Sequence, residues 1–196
     1  MRRIRVLIWI LVALALIGTG VLLVYPRTPT QPTATITSTS FGGPFTLVGT
    51  DGQPFASSRL SGKPYAIFFG FTHCPDVCPT ALARLAQLRK QLGRGEDAFN
   101  IVFVSVDPER DGPKEVASYA TAFGSPVIAL TGSPAQIDKV KKRYAIFSEK
   151  VPQGDTYTVD HSAAVLLFDR NGGFKATISA EEQDGPALDK LRQLTA

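Results

Sequence analysis

The longest apolar stretch of the chain runs from Val6 to Val24 without a charged residue. Nineteen residues in helical form extend roughly 28 Å, close to the hydrocarbon thickness of a bilayer. The pattern predicts one membrane-spanning helix within residues 1–25. A cleaved signal peptide is the alternative, since Ala13-Leu14-Ala15 and Gly18-Thr19-Gly20 resemble small-residue cleavage sites. The apolar run continues past both, which favours an uncleaved anchor, and no cysteine stands near it to carry a lipid. From Pro26 to Pro44 hydrophobic periodicity disappears into Pro, Thr, Ser and Gly. Such a segment buries too little apolar surface to offset its ordering entropy and is expected to be a flexible tether, residues 26–44.

Beyond it, residues 45–196 alternate strand and helix patterns. Tyr65–Phe71 and Ile101–Val106 are continuous apolar runs of strand length, the signature of strands covered on both faces. Leu82, Leu85, Leu88 and Leu92 recur at helical spacing over Pro79–Leu92, with Gly93 placed to end the helix. Helices are also predicted over Pro113–Phe123, Pro134–Tyr144 and Pro186–Leu194, with strands at Val127–Leu130, Thr156–Val159, Ala163–Phe168 and Phe174–Ile178. Asn171-Gly172-Gly173 reads as the turn of a hairpin. This order predicts an α/β domain with helices on both faces of a central sheet, best matched by a three-layer thioredoxin-like fold with insertions.

Net charge at first suggests an anionic partner, at +4 formally. The only charged residues up to position 27 are Arg2, Arg3, Arg5 and Arg27. Without those four, 17 basic residues face 17 acidic ones. The charge is therefore an orientation signal, placing the N-terminus in the cytoplasm and the domain outside. Nucleic-acid binding has no support. Lys139, Lys141, Lys142 and Arg143 read as a solvated helix face, with an acidic partner as the functional alternative.

Chemistry centres on the only two cysteines, in Gly70-Phe-Thr-His-Cys74-Pro-Asp-Val-Cys78-Pro79. They lie where a buried strand turns into a helix, the usual location of a site in an open α/β sheet. Residues four apart share a helix face, so their sulfurs can meet. Cys78 falls near the helix start, where partial positive charge favours thiolates, the form that attacks disulfides and binds metals. A plain structural disulfide is the alternative, as is a pair of inert buried thiols. The short loop makes a stabilising crosslink a weak reason for the pair, so reversible chemistry is the better expectation.

His161 is the next ligand candidate, in Tyr157-Thr-Val-Asp-His161-Ser. Two thiolates and an imidazole suit Cu(I) and can also hold Cu(II). Zinc would normally take a fourth donor, from a carboxylate, His73 or water. Asp160 is a nearby group for orienting the imidazole. His73 adjoins Cys74 and is expected to support rather than ligate. Asp107, Glu109, Arg110 and Asp111 read as a solvated, self-paired loop, or as the rim of the cysteine site. The sequence contains no G-x-S-x-G and no phosphate-binding G-x-x-x-x-G-K-[ST]. The P-x-x-x-T-x-x-C of peroxidases is not met either, since Phe71 and Pro75 stand three residues before the cysteines.

Taken with Ser105-Val-Asp-Pro-Glu-Arg-Asp111 and Val159-Asp-His-Ser162, the cysteine motif resembles the Sco/SenC family across the whole exported domain. The resemblance implies a thioredoxin-like copper protein that assists assembly of the dinuclear copper site of cytochrome c oxidase. The family's ligands fall on Cys74, Cys78 and His161, and Asp160 matches its motif. A metallochaperone is implied, tethered by its N-terminal helix, with an oxidase subunit as acceptor and a thiol reductase to keep the cysteines reduced. The alternative is a thiol-disulfide oxidoreductase in which Cys74 and Cys78 form the redox couple. With no long presequence before the anchor, a bacterial cytoplasmic membrane is expected, with the domain on its outer side.

Overall fold

The computed structural model describes residues 41–196. The expected membrane helix and most of the expected tether lie outside the described residues. Among the described residues, no helix is long and apolar enough to cross a membrane.

The strands are β1 (Thr46–Gly49), β2 (Pro54–Ala56), β3 (Tyr65–Gly70), β4 (Asn100–Ser105), β5 (Val127–Thr131), β6 (Ser148–Gln153), β7 (Thr156–His161), β8 (Val165–Phe168) and β9 (Phe174–Ile178). The α-helices are α1 (Val77–Gln91), α2 (Pro113–Ala120), α3 (Pro134–Arg143) and α4 (Asp184–Thr195). Seven strands form one sheet in the order β2-β1-β5-β4-β3-β8-β9, and β6 and β7 form a separate two-stranded ribbon. The centre is parallel, with Phe68 opposite Phe103 and Gly70 opposite Ser105, while β8 runs antiparallel to β3.

All six residues of β3 are buried, as a strand covered on both faces requires. Strand alternation divides the covering layers. Phe68 and Phe103 crowd the space above Gly70 together with Cys78 of α1, and Tyr119 of α2 packs on Phe103. Arg84 of α1 pairs with Asp184 of α4 at 2.7 Å, so α4 lies beside α1. Phe69 points the other way and meets Tyr144, just past the end of α3. The predicted α/β thioredoxin-like arrangement is therefore observed in the described domain.

Two departures from the sequence reading matter. Phe41–Pro44, compositionally the end of the tether, is fastened to the domain. Phe41 stacks on Phe168 and meets Phe174 edge-on, Gly42 N–H donates to the Arg143 carbonyl at 3.1 Å, and the Tyr144 hydroxyl donates to the Gly43 carbonyl at 2.9 Å. Gly42 sits at φ +84° and a Cβ there would stand 2.7 Å from the Phe168 ring, so only glycine fits. The second departure is strand β7, which extends to His161 and pairs with β6, not with the central sheet. Strand β6, Ser-Glu-Lys-Val-Pro-Gln, is exposed along nearly its whole length. It carries no alternation that a sequence pattern could detect.

Candidate metal centre

Helix α1 starts at Val77, so the segment Phe71–Asp76 is a loop and Cys78 lies in the first helical turn. The Cys78 side chain turns inward and is fully buried against the end of β3. A Cβ on Gly70 would lie 2.6 Å from its Sγ, so glycine at that position is what admits the sulfur. Cys74 is half-buried. Its Sγ accepts the Cys78 backbone N–H at 3.4 Å, and its own N–H donates to the Phe71 carbonyl at 3.2 Å. The loop thus folds back so that both sulfurs face one point.

His161 arrives from the end of β7, 83 residues further along the chain from Cys78, and its Nε2 lies 3.3 Å from Cys78 Sγ. One donor atom from each of Cys74, Cys78 and His161 falls within 4.8 Å of the others. Metal–ligand bonds of about 2.0–2.3 Å hold two donors on one ion no more than ~4.6 Å apart. The donor set therefore fits a single metal ion with small side-chain adjustment. Phe68 and Phe71 set their rings edge-on to the imidazole at 5.9 and 5.8 Å, which fixes its plane.

The imidazole is oriented by the Ser162 carbonyl, 3.0 Å from Nδ1. A carbonyl only accepts, so Nδ1 carries the proton and the Nε2 lone pair faces the sulfurs. That is the role sequence reasoning offered to Asp160. Asp160 is exposed on the opposite side of the strand from His161, because adjacent strand residues point to opposite faces. Its side chain makes no hydrogen bond to the imidazole. A backbone carbonyl leaves no trace in residue identity, so no sequence signal could have named Ser162 for this task.

His73 is exposed, with Nδ1 3.5 Å from Asp111. It lies outside the donor cluster. The reading of residues 107–111 as a solvated loop needs correction, because Asp107 and Asp111 are both fully buried. One Asp111 oxygen accepts the Thr72 N–H at 2.8 Å and the Ser105 hydroxyl at 2.6 Å; the other accepts the Thr72 hydroxyl at 2.6 Å. These bonds tie the cysteine loop to the end of β4. Asp107 accepts the Tyr157 hydroxyl at 2.9 Å and pairs with Arg110, whose guanidinium also donates to the Tyr157 carbonyl at 2.9 Å and lies 3.7 Å over its ring. The ribbon that carries His161 is held there. Buried carboxylates persist only with such partners. Thr72 and Tyr157 come from distant elements, which is why spacing did not reveal them.

The expectation that the helix start would favour a Cys78 thiolate is also overturned for the metal-free protein. Burial pushes the Cys78 thiol well above the usual cysteine range, and neighbouring Cys74 adds to the effect. Desolvation of a sealed sulfur outweighs the helix-end charge.

Comparison with known proteins agrees with this geometry. The family profile described as SCO1/SenC matches residues 33–196. The mitochondrial SCO2 protein of Saccharomyces cerevisiae is 35% identical over 161 residues, covering 80% of this chain, which spans 53% of the yeast protein's length. The SCO2-like protein of Rickettsia prowazekii is 35% identical over 187 residues, covering 88% of this chain and 91% of the relative. Among solved structures, Bradyrhizobium japonicum ScoI with copper bound superposes with a TM-score of 0.72 at 40% identity, over 79% of this chain and 99% of that one. A family match over most of the chain, on a thioredoxin-like domain that brings two cysteines and a histidine to one point, establishes that this chain belongs to the SCO1/SenC family.

Proposed function

We propose that this protein is a membrane-tethered copper metallochaperone that carries copper to the dinuclear copper site of cytochrome c oxidase. Copper is its cargo, held by Cys74, Cys78 and His161. The observation that carries the reading is the convergence of these three donors within 4.8 Å, on a chain of the SCO1/SenC family. Soft thiolates with a single imidazole favour Cu(I) and tolerate Cu(II). Three donors make a centre that a partner's ligand can enter, so release proceeds by ligand exchange without dismantling a closed cage. Cys74 is half-buried, and its side of the centre is where exchange with an acceptor begins. The acceptor is an oxidase subunit, and a thiol reductase returns the pair to its dithiol form. The apolar segment Val6–Val24 anchors the chain in a bacterial cytoplasmic membrane with the domain outside.

A second reading is supported by the closeness of the two sulfurs. A dithiol in one site can reduce a partner's disulfide and become a disulfide itself, a reaction that needs neither metal nor His161.

One comparison separates the two. Cu(I) is titrated into wild type and His161→Ala against a chromogenic competitor. Wild type takes up one ion per chain, and His161→Ala binds at least tenfold more weakly. Equal affinities would remove the histidine from the ligand set. A wild type that binds no copper but reduces protein disulfides would transfer the function to the oxidoreductase reading.

A further inference from the structure

Helix α3 carries more charge than it pairs. Lys141 is tied to Asp138 and to the Ser148 hydroxyl, each at 3.0 Å. Lys139, Lys142 and Arg143 are exposed, and among the described residues none of the three pairs with a carboxylate. A basic last turn complements the helix dipole, but the dipole does not account for what lies beside it. Lys139 and Arg143, one turn apart, line a groove of about 440 Å³ between α3 and the segments of β1 and β2, with Phe45, Ser58, Gln136 and Val140. No acidic residue lines it. Beyond Arg27 the charges of the chain balance, so this is a local excess.

The groove is also where the chain enters the domain. Its wall includes Pro44 and Phe45. The Arg143 guanidinium donates to the Pro44 carbonyl, and the Arg143 carbonyl accepts the Gly42 N–H at 3.1 Å. Sixteen residues, 25–40, separate this point from the proposed anchor Val6–Val24. A tether of that length reaches roughly 22 Å on average, so the entry end of the domain meets the headgroup layer more often than any other surface. Phosphodiester groups are the dense anions of that layer. The donor cluster lies at the other end of β3. Cys78 packs against Gly70, the last residue of the strand, while Phe41 stacks on Phe168, which pairs with Tyr65, the first.

We propose that the α3 groove binds anionic phospholipid headgroups, with Lys139, Lys142 and Arg143 on the phosphates, and so seats the domain on the membrane with its donor cluster turned away from the lipid. This rests on the anchor reading proposed above. Each basic residue near an anionic surface multiplies binding by roughly fivefold, so three give on the order of a hundredfold, too little to hold a free domain. A short tether supplies an effective concentration of about millimolar, at which the same contacts suffice. The face therefore orients a domain that is already anchored.

The test is amine labelling of the full-length chain in vesicles of phosphatidylcholine, with and without phosphatidylglycerol. An uncharged acylating reagent is used and each lysine is followed by peptide mass spectrometry. Lys139 and Lys142 are expected to label roughly three- to tenfold more slowly with phosphatidylglycerol, and about 0.5 M salt should abolish the difference. Lys90 and Lys114, exposed on α1 and α2 across the sheet, are expected to label alike in both. Equal rates at Lys139 and Lys142 would overturn the proposal. Equal slowing at all four lysines would overturn it too, as a general effect of the charged surface. Slowing that requires an added oxidase subunit would give the face to an acidic protein instead. A chain that floats with neither vesicle would overturn the anchor reading, and this inference with it.

Discussion

At Cys78 two influences act in opposite directions on one sulfur. The helix start favours the thiolate, and complete burial favours the thiol; burial prevails in the metal-free protein. Copper must therefore displace a proton from Cys78. Protons compete with metal wherever the pH lies below the thiol's raised range, so the apparent Cu(I) affinity climbs with pH. The expected slope is about tenfold per pH unit for each proton released. Competition titrations between pH 6 and 8 measure it, and a flat profile would mean that Cys78 is already ionised. The residue types of the centre were plain in the sequence, since Cys74, Cys78 and His161 exhaust its cysteines and half its histidines. Their protonation was not, because it depends on which side chain turns inward.

The element that completes the centre is the β6–β7 ribbon. Two strands alone are marginally stable in water, and this pair stands apart from the central sheet. Arg110 is one of its ties to the domain, bridging Asp107 and the Tyr157 carbonyl and stacking on the Tyr157 ring, beside the Tyr157 hydroxyl bond to Asp107. Replacing Arg110 with alanine is expected to speed amide hydrogen exchange across Thr156–His161 while leaving β3 and β4 protected. Cu(I) affinity should fall toward that of His161→Ala, and combining the two substitutions should cost less than their sum, since both act through the imidazole. Lysine at 110 should not restore protection, because an ammonium cannot replace a planar fork that holds two acceptors and stacks on a ring. Sequence periodicity located Thr156–Val159 as a strand but gave no hint of its partner. Strand β6 owes its form to six paired residues of β7, not to an apolar face of its own.

At the scale of the molecule, the folded domain reaches back to Phe41, whose ring joins the Tyr144–Phe168–Phe174 cluster. Composition could not show this, because Phe41-Gly42-Gly43-Pro44 reads as linker and only the tertiary cluster gives the phenylalanine somewhere to go. The proposed anchor precedes this attachment. Expressed whole, the chain is expected to sediment with membranes and to resist an alkaline carbonate wash. A chain beginning at residue 26 is expected in the supernatant with unchanged Cu(I) affinity. Loss of the full-length chain to the wash would reject a spanning helix for Val6–Val24.

Local pattern by itself determined the alternation of strands and helices, the balanced charge of the residues beyond Arg27, the place of Cys74 and Cys78 at a strand-to-helix turn, and, with the family resemblance, the candidate for the third donor. The elements and the cysteine turn depend on residues near one another in the chain, where burial period and turn chemistry act directly. Tertiary structure alone decided that Ser162, not Asp160, orients the imidazole, and that Asp107 and Asp111 are buried anchors. The anchors depend on contacts across tens of residues, the orienting carbonyl on how the strand end turns, and both on which polar groups meet once the apolar core has closed around them.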